Sequence, residues 1–134
     1  MKDAAELCRG LLRKARSDRI AMEASLAAQA LDAACFHAQQ LTEKCLKAFL
    51  AHRGVAFPYT HNLTKLIELG AGIDTSLRSL LPTVASLTPY AVELRYDDSF
   101  WPSQQVAEEA RSSAIAVLRF VLDRLPEDIR KSAE

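Results

Sequence analysis

The chain has 134 residues, 49% of them hydrophobic and 25% charged, and its 17 Lys plus Arg are balanced by 17 Asp plus Glu. This fits one soluble globular domain over residues 1–134, and the absence of a basic surplus argues against a free-standing nucleic-acid binder, which recognises phosphates through excess positive charge. Four Gly and five Pro are too few for the frequent tight turns of a small sandwich or barrel, which leaves an all-α fold. No stretch approaches the roughly 18 uninterrupted apolar residues of a membrane span. The start, Met1 to Glu6, lacks the apolar segment of a signal peptide, so a cytoplasmic chain without a membrane partner is expected. Cys8, Cys35 and Cys45 are odd in number and without CxxC spacing, as fits buried, reduced thiols better than disulfides or a zinc site.

In chain order, apolar residues at helical spacing (Ala4, Leu7, Cys8, Leu11, Leu12, Ala15, Met22, Leu26) predict an amphipathic helix over roughly 3–27. A second helix, about Leu31 to His52, stops at Gly54 with Pro58 beyond it. Its apolar arc covers more than half of the wheel, so it is expected to be covered on two sides, centrally in a bundle or partly by a second protomer. Glu43, Lys47, Gln40, Lys44 and His37 share the remaining polar strip. Thr60 or Asn62 can cap a short helix from about Leu63 to Leu69. The stretch Thr75–Tyr96 is helical in pattern, but Pro82 and Pro89 lack the amide hydrogen and should break it into two pieces. Ser103 can cap a last helix from Gln104 to Leu125, with an inner stripe of Val106, Ala110, Ala114, Val117, Leu118, Val121 and Leu125, and an open tail follows from Glu127. The expected architecture is an antiparallel up-and-down bundle of four main helices plus a short one.

The chain has no GxxxxGK[ST] or GxGxxG loop, which excludes a Walker-type nucleotidase. His37, His52 and His61 are far apart in the chain and show no HExxH spacing, so neither a metal site nor a cofactor is expected. Two segments exceed generic helix. Along 37–48, His37, Gln40, Lys44 and Lys47 form a polar strip, whose plain reading is a solvated face with a Glu43–Lys47 pair. Along 90–98, Arg95, Asp97 and Asp98 end a helix beside an aromatic loop, whose plain reading is a terminal charge cluster with Trp101 plugging the bundle end. Asp18 and Arg19 fall within the apolar sector of the first helix and need partners, and Asp18 is expected to meet Arg95 or Lys44 across the bundle.

The ordered combination Cys35-Phe36-His37-Ala38-Gln39-Gln40, Glu43-Lys44-Cys45-Leu46-Lys47-Ala48, Thr60-His61-Asn62-Leu63 and Arg95-Tyr96-Asp97 resembles the HEPN (higher eukaryotes and prokaryotes nucleotide-binding) family over nearly the whole chain. The resemblance implies an all-α bundle, often a homodimer, frequently encoded beside a small nucleotidyltransferase with which it forms a complex or a toxin–antitoxin pair. Many family members are metal-independent RNases that follow an Arg with a His after four to six residues. Here Arg95 is followed by Tyr96, Asp97, Asp98, Ser99, Phe100, Trp101 and Pro102, and no histidine comes later. Arg95 is therefore carried over as a site residue and no catalytic residue is assigned.

The leading expectation is a non-catalytic module that binds a nucleotide, a nucleotidyltransferase partner, or both. Its groove would hold His37, Gln40, Lys44, Lys47, Arg95 and Tyr96, with Asp18 and Asp97 as supporting charges and Tyr96 or Trp101 stacking on a base. One alternative is an RNase toxin in which His61 or His37 replaces the missing histidine. The other is a purely structural interaction domain.

Overall fold

A computed structural model describes residues 2–134. The described residues contain helices and turns and no strand. Helix α1 (Ala4–Ala27) starts at a capping box, in which the Asp3 carboxylate accepts from the Glu6 amide at 2.8 Å and the Glu6 carboxylate accepts from the Asp3 amide at 3.4 Å. A three-residue link with Gln29 at φ 63° reverses the chain into α2 (Leu31–His52). Asp18 contacts His37 and Lys44, residues similarly far from that link, so the two helices run antiparallel as a hairpin. Helix α2 ends at Gly54, whose φ of 70° is reached without strain because glycine has no Cβ.

Asn62, rather than Thr60, caps α3 (Leu63–Ala71), its side chain accepting from the Lys65 amide at 3.2 Å. At Gly70 an added Cβ would lie 2.5 Å from Leu77 Cδ2, so only glycine lets the following turn pack this closely on α3. The expected two pieces over Thr75–Tyr96 are three short ones: a 3-10 turn at Thr75–Leu80, α4 (Leu81–Val84) and a 3-10 turn at Thr88–Tyr90. Pro82 and Pro89 sit in the first positions of α4 and of the last turn, where their missing amide costs nothing, so each proline starts a piece. Three long helices are therefore present instead of four. The third is α5 (Gln104–Leu122), capped by Ser103 Oγ accepting from the Val106 amide at 3.1 Å.

Helix α2 is the central element, covered by α1 on one side and α5 on the other, with α3 and the last 3-10 turn at its flanks. Leu41, Cys45, Leu46, Phe49 and Leu50 are wholly inaccessible. Its wide apolar arc is thus satisfied within the chain.

Three side-chain expectations need correcting. Val106 is exposed and Ala107 takes its place against the core, a one-residue shift at the first turn of α5. Trp101 does not plug the bundle end: it is 73% exposed, its Nε1 donating to the Asp98 carbonyl, while Phe100 turns inward and stacks on Tyr90 at 5.6 Å. The tail from Glu127 is not open. It forms α6 (Glu127–Arg130) and a 3-10 turn at Lys131–Ala133, burying Ile129 and Ala133 against α1. Pro126 ends the helical run by restarting it, and Arg9 and Arg19 of α1 hold the segment through the Asp128 carboxylate at 3.0 Å and the Ala133 carbonyl at 3.1 Å.

Candidate functional site

The polar strip of α2 forms two hydrogen-bonded clusters joined end to end. In the first, the Asp18 carboxylate projects from α1 and is shared by His37 Nδ1 at 2.9 Å and the Lys44 ammonium; Gln40 Oε1 lies 3.5 Å from the same ammonium. Asp18 is only 8% exposed, so the apolar sector of α1 tolerates it because both its oxygens are paired. A carboxylate at Nδ1 holds the proton there and leaves Nε2 of a neutral imidazole as the free lone pair.

The second cluster repeats the arrangement. Glu43 is 5% exposed, against the expectation of a solvated strip residue, because loop 53–62 folds back over α2 and brings its own partners. His61 Nδ1 lies 2.8 Å from Glu43 Oε1, and Lys47 Nζ donates to Oε2 at 3.0 Å. The Lys47 ammonium also faces the rings of Phe57 and Tyr59 at 5.8 and 5.9 Å. Gln39 and Gln40 bridge the clusters: Gln40 donates to Gln39 at 2.7 Å, and Gln39 donates to Glu43 at 3.3 Å and to the His61 carbonyl at 3.1 Å.

Arg95 stands apart from this network. Its guanidinium lies over the Phe36 ring at 3.9 Å and near Tyr96 at 5.6 Å, and it forms no ion pair among the described residues. Asp18 therefore meets Lys44 and not Arg95. Phe36 packs edge-on against His37 at 5.1 Å, so the order across this end of α2 is Arg95, Phe36, His37. All three line one cleft of about 260 Å³ together with Asp32, Tyr90 and Phe100. Tyr96 and Trp101 lie at a smaller neighbouring cleft and are 79% and 73% exposed. Asp97 is occupied locally, accepting from the Ser99 amide at 2.9 Å and the Ser99 hydroxyl at 2.6 Å, and the hydroxyl bond holds its carboxyl below the usual range.

The fold thus brings Asp18, His37, Gln40 and Lys44 together, places Lys47 in the adjoining cluster, and sets Arg95 on the cleft that His37 lines, with Tyr96 on the far side of Arg95 at the neighbouring cleft. It leaves Asp97 in its own turn. Sequence reasoning missed Asp32, Phe36, Tyr90 and Phe100 as cleft walls, and Gln39 as the bridge. The signal for Gln39 was its position among the apolar residues of α2; nothing local marked the walls, since they come from segments more than fifty residues apart.

Burial pushes the thiols of Cys8 and Cys35 up to about 11 and that of Cys45 to about 12, so none is a thiolate nucleophile near neutrality. Among the described residues no group of three or more His, Cys, Asp or Glu side chains is placed to hold a metal, and no helix is long and apolar enough to cross a membrane.

No curated relative matches the sequence. The crystal structure of an archaeal HEPN homologue is similar in fold, with a TM-score of 0.71 and 21% identity over 92% of this chain and 98% of that one. The HEPN domain family matches residues 8–125, from α1 through the end of the α5 segment, and so takes in both histidine clusters and the Arg95 cleft: the chain belongs to the HEPN domain family.

Proposed function

We propose that this HEPN module binds a nucleotide through its phosphate at the cleft between Arg95 and His37. One observation carries the reading: Arg95 is a guanidinium without a carboxylate partner, braced on Phe36 and opening onto an aromatic-walled cleft that it shares with an imidazole. A braced guanidinium offers two parallel N–H donors to a phosphate oxygen pair, and Tyr96 and Trp101 supply exposed rings for a base. At about 260 Å³ the cleft lies just below the usual size for small-molecule sites, enough for a phosphate and part of a base. Lys44 and Lys47 act at one remove, since each ammonium is already neutralised by Asp18 or Glu43. A nucleotidyltransferase partner would supply the transfer chemistry that this cleft lacks.

Thermal-shift titration with nucleoside mono-, di- and triphosphates, with and without Mg²⁺, tests the reading. Saturable stabilisation that Arg95→Ala abolishes is the expected result, because a ligand of the folded state must raise its apparent stability. No shift with any nucleotide overturns it.

The geometry favours a second reading, metal-independent RNA cleavage. Asp18 holds His37 through Nδ1, and the imidazole lines the same cleft as Arg95, which the order of residues in the chain does not reveal. General-base catalysis of this kind contributes about 10²–10⁴-fold. Labelled RNA cleaved in EDTA, with cleavage lost in both His37→Ala and Arg95→Ala, would establish it; intact RNA, or cleavage indifferent to both variants, would dismiss it.

A further inference from the structure

Arg19 is the charge in the apolar sector of α1 that the two histidine clusters leave over. It is part-buried, it donates to the Ala133 carbonyl, and among the described residues it has no carboxylate partner. Its guanidinium opens on a groove of about 600 Å³, well within the size of small-molecule sites. The groove exists because α1 and α5 both pack on α2 yet touch each other little.

The two walls divide the groove into a charged end and an apolar length. On α5, Ile115, Leu118, Arg119 and Leu122 follow at three- and four-residue spacing and so share this face; on α1, Ile20 beside Arg19 is 50% exposed. Arg119, like Arg19, has no carboxylate within ion-pair distance, and these two also line the adjoining depression of about 390 Å³ that the C-terminal segment walls. Two unpaired guanidiniums at one place repel each other, and an anion bound to both removes that cost. At the other end the Glu23–Arg111 ion pair ties α1 to α5.

Charge at one end and apolar walls along the rest describe an amphiphile with an anionic head. Asp123, Glu127 and Glu134 line the depression beyond the guanidiniums, which disfavours a doubly charged phosphate and suits a single carboxylate. From Arg119 back to Arg111 is eight residues of helix, about 12 Å, the length of an extended chain of about ten carbons.

We propose that the groove between α1 and α5 binds a medium-chain fatty acid, its carboxylate on Arg19 and Arg119 and its chain over Ile20, Ile115, Leu118 and Leu122 as far as the Glu23–Arg111 bridge. None of these residues lines the Arg95 cleft, so either site can fail without the other.

Calorimetric titration of the full chain with decanoate, kept below its micellar concentration, is the test, with circular dichroism checking that each variant keeps its helix content. One saturable site per chain is expected. Arg119→Glu, which sets a like charge against the head, and Ile20→Asp, which does so along the chain, each weaken binding at least tenfold, as does Arg19→Ala. If Arg19→Ala loosens the C-terminal segment, the two exposed positions test the groove on their own. Acetate, which lacks the chain, and decyltrimethylammonium, which carries the opposite head, should not bind. Absence of decanoate binding overturns the proposal, as does binding indifferent to Arg119→Glu and Ile20→Asp, or matched by either control compound. Sedimentation of the chain with phosphatidylglycerol vesicles without binding of monomeric decanoate would make the groove a membrane contact and also overturn it.

Discussion

Asp18 and Glu43 are carboxylates that the interior of this protein accepts only because both oxygens of each are paired. Truncating one strands a partly buried ammonium, so Asp18→Ala is expected to cost about 1–3 kcal/mol of stability, measurable by urea denaturation. Asp18→Leu combined with Lys44→Met should recover part of that loss, because no buried charge is then left unpaired and only the part-exposed His37 Nδ1 loses its partner. A double variant no more stable than Asp18→Ala would show that the pair is not the reason for the carboxylate. Asp18 was legible in the sequence as a charge in an apolar sector, and Lys44 was one of its two candidate partners. His37 as the other partner was not legible, since α1 and α2 meet there only through the hairpin. Glu43 was misread for a similar reason: the loop that buries it follows α2 in the chain and leaves no periodic signal.

At the scale of elements, the helices were legible to within a residue or so at their starts: Asn62 and Ser103 are caps with a mechanism, whereas α1 and α2 were marked by apolar periodicity alone. The region 75–96 was harder, since short 3-10 pieces have no periodicity of their own and are stabilised by what they pack on. Asp74 shows how such a piece is held. It accepts from the Ser76 amide and hydroxyl and pairs with Arg124 Nε at 3.3 Å, joining the first 3-10 turn to the end of α5. The hydroxyl bond above all lowers its carboxyl, so its contribution is present above the ordinary carboxylate range and is lost as pH falls through the lowered value. Asp74→Asn should therefore flatten the acid limb of a stability–pH profile; an unchanged limb would assign acid unfolding elsewhere. The C-terminal segment was read as open because Pro126 looked like a stop. Ile129→Ala should cost about 2–5 kcal/mol in chemical denaturation, as for any fully buried aliphatic side chain. A negligible cost would return the segment to the status of a tail.

For the whole molecule, three thiols in one core set an alkaline limit. Their pKa values are raised from an ordinary 9.0, so the neutral forms are favoured by folding, and this stability is complete below pH 9.0 and lost as pH rises toward 11 to 12. A stability profile should fall through that window, and a variant with all three cysteines replaced by alanine should fall less steeply. The same burial predicts that a thiol reagent labels the native protein slowly and the denatured protein quickly. Rapid labelling of the folded chain would contradict the packing of Cys8, Cys35 and Cys45 described above.

The three-residue link between α1 and α2 also has a kinetic consequence. The largest helix–helix interface joins segments adjacent in the chain, so its loop closes at little entropic cost. The hairpin is then the natural nucleus of folding, and α5, which must return across the intervening fifty or so positions to reach α2, docks afterwards. Hydrogen exchange would record this order as early protection of the α1 and α2 amides, with those of α5 following.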